Sequence, residues 1–194
     1  MSGECVDVRR AEDRFRTDRD GITTFHSFSY GVHYDPDNVG FGPIIALNDE
    51  NVPPGGGYDA HRHSDITIFT LVLEGALAHE DSSGRRFVLP AGKLESVSAG
   101  AGIEHSERNA SDTEPLRFLQ LMTREVPVDV GVSIHGVEGG RVRVQAPALV
   151  HVTHGEFELN GTRLGAGDEA RLSGEDAYDL SASGPADALI VQVG

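Results

Sequence analysis

Apolar positions along the chain come in short alternating or continuous runs, each closed by glycine, proline or an Asn/Asp/Ser cluster, and long stripes of 3.6-residue period are absent. Runs with strand character lie at 42–47, 65–73, 75–80, 86–88 and 116–123, then at 128–135, 141–145, 149–154, 156–159 and 189–193. Between them, Asn48-Asp49-Glu50, Pro53-Pro54-Gly55-Gly56-Gly57, Asp81-Ser82-Ser83-Gly84 and Asn160-Gly161 carry turn chemistry. Asn-Gly suits a two-residue hairpin because both positions accept positive φ. Many short strands at close spacing predict an all-β chain, a sandwich or a small barrel, with little helix.

A boundary is expected near residues 125–127. Residues 1–125 hold tightly clustered histidines and acids, whereas residues 126–194 have shorter apolar runs and scattered polar groups. The second part is small for an independent core. Mean hydropathy of −0.26 and a hydrophobic fraction of 38% suit a soluble globular chain. No apolar run approaches the roughly 20 residues of a membrane helix, and residues 1–10 lack the apolar stretch of a secretory signal. Cys5 is the only cysteine, which excludes an intrachain disulfide, so a reducing, cytoplasmic location is expected and no membrane is. The formal charge of −15 repels phosphate backbones, so direct nucleic-acid binding is not expected. Arg9, Arg10, Arg14, Arg16 and Arg19 alternate with Glu12, Asp13, Asp18 and Asp20 and read as a solvated, mixed-charge segment.

Two short patterns carry candidate chemistry. In a strand, alternate side chains share a face about 7 Å apart, so the imidazoles of His61-Arg62-His63 can converge on one ion while Arg62 points away. His105-Ser106-Glu107 repeats the geometry with a carboxylate in second place. Two such strands facing each other across a barrel would supply three nitrogens and one oxygen, leaving adjacent positions of an octahedral ion for ligands. A His-x-His alone is commonly just a pair of surface side chains, so context decides. Gly55, Gly75, Gly84, Pro90-Ala91-Gly92, Gly100-Ala101-Gly102 and Asn109 surround the two patterns in an order that resembles the two-part cupin signature.

A more specific resemblance follows. Phe25-His26-Ser27-Phe28-Ser29-Tyr30, Tyr34-Asp35-Pro36, Gly40-Phe41-Gly42, Asn48-Asp49, Val72-Leu73-Glu74-Gly75 and Ser98-Ala99-Gly100-Ala101-Gly102-Ile103, with the two histidine motifs, resemble the N-terminal half of the pirin family over residues 8–123. The resemblance implies a bicupin, that is, two jelly-roll barrels (double-stranded β-helices). One divalent transition metal would sit on His61, His63, His105 and Glu107. Iron(II) is the expected ion, although imidazole also suits nickel, copper and zinc, and manganese is a further alternative. It further implies either a quercetin 2,3-dioxygenase acting on flavonols or related aromatic molecules, or a metal-dependent co-regulator binding a protein partner. In the enzyme, Glu107 is the candidate to exchange a proton with substrate.

Three departures stand out. Where pirins commonly carry an acid four positions after the second histidine, this chain has Thr67, which strand parity sets on the His61/His63 face and which cannot act as a base. The family's central proline is Arg62 here. The chain is shorter than typical members, and after Thr123 only residues 149–161 resemble the last strands of the second cupin, so residues 126–194 are expected to form a reduced cupin-like part without a metal. His151 and His154 are expected at the surface or in a turn. His26 and His33 are expected in hydrogen-bonded structural roles and His79 as a buried imidazole, supporting the metal site if it faces the cavity. Phe41, Phe69 and Phe118 suit either an aromatic pocket or the core.

Overall fold

A computed structural model of the chain describes residues 5–125 and 129–194, so the expected boundary at 125–127 lies mostly outside the described residues, as does part of the strand expected at 128–135. The strands in chain order are β1 (Cys5–Arg9), β2 (Phe15–Arg19), β3 (Ile22–His26), β4 (Ile44–Val52), β5 (Gly57–His63), β6 (Ile66–Glu74), β7 (Ala76–Asp81), β8 (Arg86–Pro90), β9 (Leu94–Ser98), β10 (Ile103–Asn109) and β11 (Leu116–Arg124). They continue with β12 (Val130–Val137), β13 (Gly140–Gln145), β14 (Ala148–His154), β15 (Glu156–Leu159), β16 (Thr162–Gly165), β17 (Glu169–Ser173), β18 (Ala177–Ala182) and β19 (Ala186–Val193). A single 3-10 turn, Ala11–Asp13, is the one helical element among the described residues. None of these residues forms a helix long and apolar enough to cross a membrane.

The chain divides into two compact units, Phe15–Val126 and Met1–Arg14 with Pro127–Gly194. In the first, a six-stranded antiparallel sheet of order β2-β3-β4-β11-β6-β9 is partnered by a four-stranded sheet of order β5-β10-β7-β8. Ile22, Val52, Val72, Leu116 and Phe118 from the larger sheet meet Leu77 and Leu89 from the smaller, closing one apolar core between them. The second unit repeats this order eight strands later, as β17-β14-β19-β12 and β13-β18-β15-β16. Both units are therefore cupin barrels, and the all-β bicupin is the observed architecture.

Residues 5–14, expected with the first unit, belong to the second: β1 pairs with β17 from Cys5↔Ser173 to Arg9↔Glu169. Val6 and Val8 pack against a core built from Val150, Val152, Phe157, Leu164, Leu172 and Ile190 among others. Arg10 extends the join, donating to Asp168 at 2.7 Å. The second unit thus has its own core, enlarged by a strand borrowed from the far end of the sequence.

Asn48-Asp49-Glu50, expected as a turn, lies instead within the nine-residue β4. Its acids are tolerated there because each has a partner: Arg117 holds Asp49 with two bonds of 2.9 and 2.8 Å, and Glu50 accepts from Thr24 and Tyr58.

Gly57 opens β5 at φ +144°, and a Cβ there would lie 2.4 Å from the Arg108 Cα on β10. Only glycine allows this approach. Gly57→Ala is expected to cost about 2 kcal/mol and lower the thermal midpoint by about 4–8 °C, as read by circular dichroism; an unchanged midpoint would show that the strands separate freely.

Candidate metal centre

β5 and β10 are neighbours in one sheet, not strands opposed across the barrel as the spacing suggested. His61 is directly opposite His105, and His63 is opposite Ile103. A register shift between His105 and Glu107 brings Glu107 opposite Tyr58. The three ring centroids are 4.9 Å (His61–His63), 4.5 Å (His61–His105) and 5.1 Å (His63–His105) apart. One nitrogen from each falls within 4.8 Å of the others, close enough to share an ion.

The donor chemistry fits a metal. His61 Nδ1 lies 2.8 Å from the Asp59 carbonyl oxygen. A carbonyl only accepts, so Nδ1 carries the proton and Nε2 keeps a lone pair for an ion. His63 Nε2 and both nitrogens of His105 are buried without a hydrogen-bond partner, which is costly unless another group completes them. Burial, followed by the neighbouring His61, pushes the His63 pKa down. The same effects, with His63 and His79 added, push His105 down to about 3. Both rings are therefore neutral near pH 7, the state that ligates.

Glu107 is 2% exposed and accepts from Gln120 Nε2 at 2.7 Å and from Thr70 Oγ1 at 3.5 Å. Burial raises its pKa to about 7, opposed by those two bonds and assisted by the charge of Glu50. With His79 and His105 it forms a second group whose ligand atoms lie within 4.8 Å of one another, so His105 is common to both groups. His79 is buried, stacked on Phe87 at 4.7 Å and 3.4 Å from Asp81. Its ring lies 5.2 Å from that of His105, beside the cluster.

His61, His63 and Glu107 line a cavity of about 910 Å³. Its other walls include Thr24, His26, Tyr30, Glu50, Tyr58 and Gln120. Sequence reasoning missed Glu50 because its acidic triplet read as a turn, and missed Gln120 because a lone amide in an apolar run carries no pattern. His26 is hydrogen-bonded to Thr17 at 2.8 Å and Asn48 at 2.9 Å, so it holds the wall in place.

Several expectations change. Thr67 does not line the cavity; the inward residues of β6 are Ile68 and Thr70, which share a small void with His105 and Glu107. Parity carried from β5 fails because the connecting Asp65 has φ +59°, a reversal that resets which face each residue takes. Arg62 does point away, donating to the Ala101 carbonyl at 3.2 Å. Phe118 belongs to the core, and neither Phe41 nor Phe69 lines the cavity, whose aromatic walls are Tyr30 and Tyr58. His151 is wholly buried within β14, not at the surface, whereas His154 is exposed beside Asp187. In the second unit, β13 and β18 hold the places of β5 and β10 and carry Arg141, Arg143 and Asp179 as exposed ion pairs.

Comparisons with known proteins agree with this architecture. The sequence profile of the Pirin family matches residues 8–122, and that of the quercetinase C-terminal cupin domain matches residues 141–193. A Mycobacterium tuberculosis protein carrying the provisional name quercetin 2,3-dioxygenase is 34% identical, over 95% of this chain and 93% of its own length. The crystal structure of YhhW from Escherichia coli superposes with a TM-score of 0.90 at 26% identity, covering 96% of this chain and 97% of that one. The bacterial pirin YhhW in complex with nickel(II), also from Escherichia coli, gives 0.86 at 25% identity, covering 97% and 99%. With both barrels matched in sequence and in fold, the chain belongs to the pirin family of cupin proteins.

Proposed function

We propose that the chain is a metal-dependent oxidoreductase of the quercetin 2,3-dioxygenase type, with one divalent transition metal on His61, His63, His105 and Glu107 and a flavonol or related aromatic hydroxyl compound as substrate. What carries this assignment is the convergence of three imidazoles, two with buried unpartnered nitrogens, beside a 910 Å³ cavity. That volume is in the range of small-molecule sites. A divalent ion held there supplies Lewis acidity toward an enolate oxygen. Iron(II) is the expected ion, and the nickel complex of the Escherichia coli pirin supports a site open to first-row metals.

The chain's own residues prepare the site. The Asp59 carbonyl fixes the His61 tautomer, and burial keeps His63 and His105 neutral. Gln120 and Thr70 aim the Glu107 carboxylate. Tyr30, stacked on His26 at 5.5 Å, and Tyr58 offer aromatic walls for a planar ring. With Thr67 outside the cavity, the missing acid at that position no longer weighs against catalysis.

Protein purified from its own host is expected to carry one equivalent of transition metal by elemental analysis, and His63→Ala to lose it. Protein loaded separately with iron, nickel, manganese or copper is expected to consume oxygen with quercetin in at least one form. One equivalent of metal with no turnover in any loading would favour a metal-dependent protein-binding role instead.

Glu107, with its pKa raised to about 7, is largely protonated below pH 6 in the metal-free protein, while His105, pushed down to about 3, is already neutral there. A metal displaces the carboxyl proton. Uptake is therefore expected to release more protons near pH 6 than above pH 8, because the Glu107 proton is present at the lower pH and gone at the higher, about a unit either side of that pKa, measured calorimetrically in buffers of different ionisation enthalpy. Proton release that rises with pH would contradict this.

A further inference from the structure

Glu50 is the most unusual group in the cavity wall that ligation leaves unused. It lies inside a long strand, is 3% exposed, and still lines the cavity shared with His61, His63 and Glu107. Its Oε2 accepts from Thr24 Oγ1 at 2.5 Å and from Tyr58 Oη at 2.7 Å. No described residue donates to Oε1. A buried carboxylate with one oxygen clamped and the other without a protein donor is arranged to receive a hydrogen from something else.

We propose that Glu50 is the catalytic base, taking the proton from the substrate's aromatic hydroxyl on Oε1 while Thr24 and Tyr58 hold its carboxylate in place. This rests on the metal-dependent reading of the site above. The substrate O–H bond breaks, an O–H bond forms on Oε1, and the electron pair remains on the substrate oxygen; nothing is oxidised in this step. Glu107 is poorly suited to the task, because Gln120 and Thr70 occupy its oxygens and it stands among the metal-binding group. Burial raises the Glu50 pKa, the Thr24 and Tyr58 bonds oppose that rise, and Asp49 adds to it. A raised carboxyl is a stronger base than an exposed one. Tyr58 competes poorly as the base, since burial and the adjacent Glu50 push its pKa far upward.

The test is anaerobic binding of quercetin to nickel-loaded protein, followed by its absorption spectrum, with oxygen uptake measured in parallel. Wild-type protein is expected to show the red-shifted band of ionised flavonol. Glu50→Gln is the same size and still accepts from Thr24 and Tyr58. It is expected to keep one equivalent of nickel and to bind quercetin with the neutral spectrum. Its oxygen uptake should fall by about 10²–10⁴-fold. Tyr58→Phe keeps the carboxylate and is expected to retain the ionised band. Ionised quercetin or wild-type turnover in Glu50→Gln overturns the proposal; so does loss of nickel from that variant, which would assign Glu50 to the scaffold. Loss of the ionised band in Tyr58→Phe alone would move the role to Tyr58. Failure of the wild-type protein to bind or oxidise quercetin is a separate outcome: it removes the aromatic-substrate reading and this inference together.

Discussion

The antiparallel pairing of β5 with β10 is the constraint from which the site follows. Neighbouring strands lie under 5 Å apart, so the His61↔His105 register alone brings two imidazoles together, and period-two alternation adds His63 on the same face. The register shift after His105 then redirects Glu107 toward Gln120 and Thr70. A slip of one residue would turn all of these side chains to the opposite face. The glycine that begins β5 belongs to the same device, since it lets the backbones meet where a side chain would hold them apart.

Around this seam the barrel wall is unusually polar for an interior. Asn48, Asp49 and Glu50 on β4 and Gln120 on β11 are all nearly inaccessible to water. Each is held by a specific partner: His26, Arg117, Thr24 with Tyr58 on one oxygen of Glu50, and Glu107 respectively. Buried groups paired in this way add little net stability but fix orientation. The apolar core lies to one side, between Phe118, Val72 and Leu77. One barrel therefore has a dry region that holds the sheets together and a polar region that faces the cavity.

Much of this was legible in the sequence because it rests on local rules. The His-x-His and His-x-Glu spacings state strand alternation directly, and glycine punctuation marked strand ends such as those of β14 at Gly155 and β15 at Asn160-Gly161. What was hidden depends on partners distant in sequence. Asp49 and Glu50 look like turn residues until Arg117, Thr24 and Tyr58 are set beside them. Thr67 was misplaced because parity does not survive the left-handed residue Asp65. His151 looked like a surface histidine in the sequence but is fully enclosed in β14. No local signal marks the attachment of β1 to β17 across more than 150 residues, since Cys5-Val6-Asp7-Val8-Arg9 alternates like any edge strand.

That attachment bears on how the protein is made. During synthesis β1 emerges well before its partner β17, with every strand of the first barrel made in between. The first barrel has all its strands once β11 is out, and domains generally fold as they emerge. Meanwhile β1 waits with its backbone donors and acceptors unpaired, a template for wrong pairing. Its two valines are flanked by Asp7, Arg9 and Arg10, charges of the kind that discourage such edges from joining other chains. Sealing the second barrel thus follows the first, and a cut between β1 and β2 would be felt by strands made long after it.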